Sequence, residues 1–524
     1  MPRHLPTIPT QDRWYSEPLR LLNIPATAFL RNASGYPVLS KPQQALVSRY
    51  MRLRTLPWLL LSDVGPIPGL NDPDLILPME TGFLSPGHAA DAPQDMSASP
   101  TPAEAAHQQE QRRTSKERNL ESTDYLRYIR HLQQNQPPKS TIERFGAGYQ
   151  DYLQTPLQPL TDNLESVTYE VFEKDPIKYD WYERAIAQAL RDWSSQCKPT
   201  SSSSGAVVVA VVGAGRGPLV TRALRASQDT GIEIEMWAVE KNPNAYVLLQ
   251  RHNLEDWNQR VTVVKSDMRS WKGPLLQDGT HGRVDIVVSE LLGSFADNEL
   301  SPECLDGVQH VLNPYCGISI PKSYTAHLTP LAAPKLHAEI QTRTATDPTA
   351  PETPYVVMLH QISYLSTVPL PQSSAQSTAN GTDATANAAR KKHEDSPAQP
   401  DVQTCWAFRH PIPDRILAQS NLRRGGGASG GGGGATGGDG ANEHNTRYCK
   451  LKFQCKDRGV CHGLGGYFET VLYEGSEGVE GDGTRVELST NPNTMEAKSS
   501  DMISWFPLFF PLKVCFFSTL YNIL

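Results

Sequence analysis

Along the chain the spacing of apolar residues changes twice, and each change marks a change of architecture. Between residues 1 and 145, short apolar runs at Ala26–Leu30 and Trp58–Leu61 alternate with helical periodicity at Gln43–Leu53 and Asp124–Gln133. That alternation predicts part of a β/α layer, with too few units to close a sheet. Residues 84–118, rich in Ala, Pro, Gln and Ser, bury too little apolar surface to order themselves and read as a disordered insertion. Residues 146–168 read as a linker. From Thr168 the runs become continuous, and Ala206–Val212 has no polar position at all, as expected of a parallel strand covered on both faces. A glycine turn, Gly213–Pro218, and a helix over Leu219–Ser227 follow it. Ile232–Val239, Val261–Val264 and Val284–Val288 repeat the pattern, so residues 169–321 are predicted to form a Rossmann-like doubly wound α/β domain. Past Pro321 the period shortens to two, in Tyr355–His360, Tyr448–Phe453, Gly466–Tyr473 and Ser504–Leu512, with no long helix. That predicts a β-barrel or sandwich over 322–524, interrupted by flexible insertions at 372–400 and 424–445.

Composition narrows the partners. A net charge of -7 gives no basic footprint for nucleic acid or an anionic membrane, and suits a basic peptide instead. Eight cysteines in 524 residues are too few for a disulfide scaffold and predict a reducing compartment. The apolar tail Ile503–Leu524 approaches the length of a membrane span, but Pro507, Pro511, Lys513 and Asn522 favour buried strands over an anchor. Cys449, Cys455 and Cys461 with His462 are spaced more widely than the usual zinc-ligand pairs, so they read as buried strand thiols and no metal is expected.

The chemistry concentrates where the four strands of the α/β domain end. In open α/β sheets that edge carries the ligand. The first strand enters Gly213-Ala214-Gly215-Arg216-Gly217, a turn that lets backbone approach a bulky cofactor but lacks the dinucleotide spacing. Glu240 closes the second strand, where an acid accepts the two hydroxyls of a ribose. Asp267-Met268 follows the third and either brackets an adenine or caps a helix. The fourth ends in Ser289-Glu290, and Glu299 follows across a loop broken by Gly293. Two carboxylates so placed need a cation between them, and a planar guanidinium that donates in parallel to each fits best. A nucleic-acid amino-methyltransferase would have an Asn/Asp-Pro-Pro-aromatic motif here; Asn313-Pro314-Tyr315 lies beyond the next helix and reads as a turn. A nicotinamide oxidoreductase is disfavoured by the glycine spacing and the acid pair.

Tyr169–Tyr179, Gly213–Pro218, Val239–Ala245 and Ser289–Gly307 together resemble the type II protein arginine methyltransferases, the symmetric-dimethylating catalytic subunits of the methylosome. The resemblance implies that Glu290 and Glu299 are the catalytic pair. It implies that Tyr169, Lys178, Tyr179, Gly213, Gly215, Glu240, Asp267 and Met268 contact S-adenosyl-L-methionine. It makes Phe172 the aromatic that selects symmetric product, and Ser504-Trp505 the substrate-facing loop, where Ile503 replaces the family's usual Phe. The implied fold is a partial TIM-barrel remnant over 1–145, the methyltransferase domain and a β-barrel for substrate and dimerisation, with the chain truncated at both ends relative to the family. The implied function is mono- and symmetric dimethylation of arginine in histones, Sm-type and other Arg/Gly-rich proteins, in cytoplasm and nucleus. A homo-oligomer and a WD-repeat partner on a complete N-terminal barrel are implied as well. An inactive, cofactor-binding scaffold is the alternative.

Overall fold

The computed structural model describes residues 1–2, 4–65, 121–370, 398–423, 443–455, 458–475 and 485–518. The insertion expected at 84–118 lies outside the described residues, as do nearly all of those expected at 372–400 and 424–445. The chain divides into two units, Met1–Pro138 and Lys139–Leu524.

In the first unit, helix α1 (Ile8–Ser16) precedes β1 (Leu21–Pro25), which pairs in parallel with β4 (Trp58–Ser62). Between them lie the short antiparallel pair β2 (Leu30–Arg31) and β3 (Pro37–Val38) and helix α2 (Lys41–Tyr50); α3 (Ser122–Gln134) follows. Helix α2 opens on a capping box, Ser40 with Gln43, and buries Leu46, Val47 and Tyr50 on one face. The strand expected at Ala26–Leu30 is corrected: Ala26–Ala28 is a single tight turn, and the strand lies just before it. Pro25 closes that ladder, and Phe29 packs edge-on to Tyr125 of α3 instead of extending it.

The second unit is built on two sheets. The first is five-stranded and wholly parallel: β5 (Val207–Val212), β6 (Ile234–Glu240), β7 (Val261–Lys265), β8 (Ile286–Val288) and β9 (Ile318–Ile320), in the order β7-β6-β5-β8-β9. The chain winds one way from β5 to β7 and the other way from β8, so the sheet reverses between β5 and β8. All six residues of β5 are buried, as the unbroken run requires. Helices α4 (Ser166–Glu173) and α5 (Lys178–Ser195) precede the sheet, and α6 (Pro218–Thr230) and α7 (Pro243–Glu255) connect its strands. Helix α5 aims Tyr182, Ile186, Leu190 and Trp193 at the core at helical spacing. Helix α8 (Ser301–Val308) follows β8.

The second sheet is antiparallel and seven-stranded. Its long central pair is β10 (Ser323–Ala332) with β16 (Gly459–Glu474), in register from Ser323↔Val471 to Leu331↔Gly463. β11 (Tyr355–Val356), β12 (Ser363–Tyr364), β15 (Gln403–Arg409), β17 (Arg485–Ser489) and β18 (Leu508–Ser518) complete it. β13 (Thr367–Pro369) and β14 (Ala398–Pro400) form a separate pair. Three expectations change here. Tyr448–Phe453 makes no ladder, and Tyr448 is exposed. The last strand begins at Leu508, because Pro507 lacks a donor and residues 502–506 form a loop. A ten-residue helix, α9 (Pro334–Arg343), stands where no long helix was expected, with Leu336 and Ile340 buried four apart. The supposed linker is docked: Asp151 is buried and accepts from the His360 and Gln361 amides, and Leu153 joins the core against β11. No helix among the described residues is long and apolar enough to cross a membrane, and the apolar tail is strand from Leu508 to Ser518.

Candidate active site

A cavity of about 690 Å³ opens at the carboxyl ends of β5, β6 and β8, beside the reversal point of the parallel sheet. Every site residue singled out from the sequence lines it. The loop after β8 delivers the two glutamates. Its backbone is strained: Ala296 and Leu300 each hold φ at 63°, a left-handed value that costs a non-glycine residue on the order of 1 kcal/mol or more. The loop closes with Ala296 and Gly293 exchanging backbone hydrogen bonds at 2.9 and 3.0 Å, and with the Phe295 amide donating to Asn298 Oδ1 at 2.7 Å. Glu290 and Glu299 share the cavity. Burial first, and then the charge on Glu290, push the Glu299 carboxyl well above the ordinary glutamate range, with the Lys178 ammonium offsetting part of the rise.

Lys178 supplies a cation at this point. Its Nζ lies 3.4 Å from Glu290 Oε2 and within 5.2 Å of the ring centres of Phe172, Tyr179 and Trp505. Burial pulls its pKa down, but Glu290, Tyr179 and Asp175 more than compensate, and the net direction is up. The Tyr179 hydroxyl is pushed up to about 12, chiefly by burial. Phe172 stands edge-on to Tyr169, centroids 6.4 Å apart.

The cofactor side is a cradle of bare backbone. Gly213 and Gly215 hold φ at 73° and 54°; a Cβ on Gly215 would meet the Tyr169 ring at 3.0 Å, and one on Gly213 would meet Leu291 at 3.0 Å and Met268 at 3.2 Å. Glu240 is buried at the end of β6, accepting the Gly215 and Asn242 amides at 2.7 Å each, and still lines the cavity. A wide, mostly apolar cavity with a glycine floor, one aromatic wall and a buried acid fits a nucleoside carrying a charged tail. Asp267 is more committed than expected. Its carboxylate binds Arg269 in a bidentate pair at 3.0 and 2.7 Å, which holds its pKa below the usual range, and accepts the Arg269 amide at 2.9 Å across a turn; no helix follows it, so the helix-cap alternative is corrected.

Four features were not legible in the sequence. Arg447, just before the stretch expected to be strand, pairs with Asp297 and, at 2.7 Å, with Glu303, holding the glutamate loop from both sides of Glu299. Trp406 Nε1 donates to Asp297 at 2.8 Å. Burial would raise the carboxyl of Asp306 in α8, but His410 and His444 outweigh it and draw it down to about 2, tying the helix to both histidines. Trp505 holds φ at 62° and donates from Nε1 to Leu292 O at 2.8 Å, so the substrate-facing loop and the glutamate loop touch directly. Of the cysteine and histidine group, Cys455 and Cys461 are buried, while Cys449 stands outside any strand. His462 gathers instead with His337 and Cys515, their ligand atoms within 4.8 Å of one another. The Ala333 amide donates to His462 Nδ1, which leaves the ring proton on Nε2 and no lone pair there for a cation.

Three family models match the chain in succession: PRMT5 TIM barrel domain over residues 1–135, PRMT5 arginine-N-methyltransferase over 140–320, and PRMT5 oligomerisation domain over 323–519. Across 97% of its length the chain is 37% identical to protein arginine N-methyltransferase skb1 of Schizosaccharomyces pombe, covering 61% of that protein. It is 36% identical, again over 97%, to protein arginine N-methyltransferase 5 of Xenopus laevis, covering 59%, and 37% identical to that of Oryza sativa subsp. indica, covering 61%. The chain therefore spans about three fifths of the length of these relatives. With all three domain models matched in order and the paired glutamates in one cavity with the glycine cradle, the chain belongs to the PRMT5 family of arginine N-methyltransferases.

Proposed function

We propose that the protein transfers methyl groups from S-adenosyl-L-methionine to arginine guanidinium nitrogens of proteins, giving monomethylarginine and symmetric dimethylarginine. The single observation that carries this reading is the acid pair, Glu290 and Glu299, sharing one cavity with the glycine cradle and Glu240. Gly213, Gly215, Tyr169 and Glu240 would hold the nucleoside, and Lys178 and Tyr179 the charged tail. When bound, S-adenosylmethionine supplies a methyl group activated by its sulfonium.

The chain's own residues meet a specific difficulty. A guanidinium is a poor nucleophile, because its electrons are delocalised and it stays protonated. Glu290 and Glu299 draw the positive charge towards the nitrogens they bind and leave the remaining Nη free to offer its lone pair. They also fix the line of approach. When that Nη takes the methyl group, whose bond to sulfur breaks to leave a neutral thioether, the proton it gives up is taken by a glutamate carboxylate. Trp505 and Phe172 keep the cavity dry, which strengthens each charge interaction inside it. Removing either carboxylate should cost on the order of 3 kcal/mol of barrier, as for single donors in other preorganised sites.

Phe172, wedged between Tyr169 and the Lys178 ammonium, is the residue we assign to the choice of symmetric product. The net acidity supports Arg/Gly-rich tails, including histones and Sm-type proteins, as substrates. The oligomerisation-domain match supports a homo-oligomer; a WD-repeat partner, and residence in cytoplasm and nucleus, complete the proposal. With an Arg/Gly-rich peptide, Glu290→Gln is expected to abolish radiolabelled methyl transfer while isothermal titration still detects S-adenosylmethionine binding. Retained turnover would remove Glu290 from its role. Phe172→Met is expected to yield some asymmetric dimethylarginine by mass spectrometry; purely symmetric product would count against the assignment of Phe172.

A further inference from the structure

We propose that Asp175 is a positioning residue, one buried carboxylate that sets the cofactor-side lysine and the substrate-side wall in place together. The inference rests on the functional reading above. Asp175 lies in the turn between α4 and α5 and is 5% exposed. Its Oδ1 accepts from the Ile177 amide at 2.7 Å and the Lys178 amide at 2.9 Å. Its Oδ2 accepts from the Ile503 amide at 3.0 Å and the Ser504 amide at 2.6 Å. The two oxygens thus hold segments more than 320 residues apart in sequence.

Each bond has a consequence in the cavity. On the Oδ1 side the carboxylate sits at the N-terminus of α5, where free amides and the helix dipole favour an anion, and it fixes where Lys178 enters the site. On the Oδ2 side it pins the backbone immediately before Trp505. That residue holds φ at 62°, a conformation that persists only where its surroundings over-determine it. The ring end of Trp505 is tied to Leu292 O, two residues beyond Glu290. The wall is therefore held at its backbone by Asp175 and at its indole by the glutamate loop. Only a carboxylate does this well: it is acceptor-only with two oxygens, whereas an amide turns its NH2 towards two of the four donors.

The test is Asp175→Asn in the full chain, read by amide hydrogen exchange, cofactor titration and peptide kinetics. Exchange at residues 177–178 and 503–504 is expected to quicken about tenfold or more, while Val207–Val212 keeps wild-type protection. The Kd for S-adenosylmethionine and the KM for the peptide should rise together and kcat fall about 10–100-fold, since small misplacements of reacting groups carry such penalties. Unchanged exchange at either segment, or faster exchange with unchanged Kd, KM and kcat, overturns the proposal. Should the variant lose protection at Val207–Val212 as well, it has unfolded, and Asp175→Glu, which keeps the charge but displaces it, is read by the same criteria. If the wild-type chain shows no transfer, the functional reading fails, and exchange at the two segments together with the cofactor Kd still decides the role of Asp175.

Discussion

Glu299 is held in a state that water would not favour. Burial and the neighbouring Glu290 charge raise its pKa above the 4.5 expected of a free glutamate. A carboxyl whose folded value exceeds its unfolded value lends stability at low pH and loses it as pH rises through the folded value. Glu299→Gln should therefore match the wild type near pH 4.5 and surpass it increasingly towards neutrality. A melting-temperature gain on the order of 1 °C is expected, by scanning fluorimetry across pH 4.5–8, alongside loss of transfer. A gain that shrinks with pH would show that Glu299 is not strained as described. The same shift predicts that an arginine peptide lowers the Glu299 pKa on binding, visible as a buffer-dependent titration enthalpy where the pH lies between the free and bound values. Residues of this kind were legible because they stand at strand ends, where a glycine, an acid or a paired acid has few structural uses. Asp175, Asp297 and Arg447 were not, because their meaning lies in partners that sequence does not bring near; Arg447 and Asp297 are 150 positions apart.

At the level of elements, the loop from β8 to α8 depends on an ion pair contributed by Arg447, which lies outside any strand. Arg447 is about one-quarter exposed, while Asp297 and Glu303 are nearly inaccessible, so removing the guanidinium leaves two buried acids short of a partner. Arg447→Ala is expected to cost about 3 kcal/mol in chemical denaturation and to lower turnover by loosening the turn that carries Glu299. Arg447→Lys, which keeps the charge but not the forked donors, should recover only part of both. Equal behaviour of wild type and Arg447→Ala would mean the pair is ornamental. The parallel strands were legible because burial on both faces leaves no polar position to mislead. The strand expected at Tyr448–Phe453 failed because side chains hold it in place of a ladder: Gln403 Nε2 donates to Lys452 O at 2.8 Å, and Arg447 just before the stretch is tied to Asp297 and Glu303. At Ala26–Leu30 a short apolar run suggested a strand, yet Pro25 had already ended the ladder.

Across the second unit the two sheets share one core. Leu472, Tyr473, Val486, Leu488 and Met502 of the antiparallel half pack into the same cluster as Tyr182, Ile186 and Leu190 of α5 and Val209 and Val211 of β5. The Tyr473 hydroxyl donates to Asp192 of that helix at 2.6 Å, and Trp181 Nε1 to Lys498 O at 3.0 Å. A sequence that changes from long runs to alternation at Pro321 reads as two domains, and the shared cluster shows why that boundary is weaker than it looks. The physical consequence concerns cooperativity. Leu472 is fully buried, and Leu472→Ala should cost about 2–5 kcal/mol as a large-to-small core change. If the sheets unfold independently, amide exchange quickens only in β16 and its neighbours. If they share a core, Val207–Val212 quickens by a similar factor, and S-adenosylmethionine, bound at the carboxyl ends of the parallel strands, restores protection on both sides by mass action. Coupled exchange is the expected result, and it bears on the site itself: the Trp505 loop belongs to one sheet and Glu290 to the other, so a cavity built between them keeps its geometry only while the two move as one body.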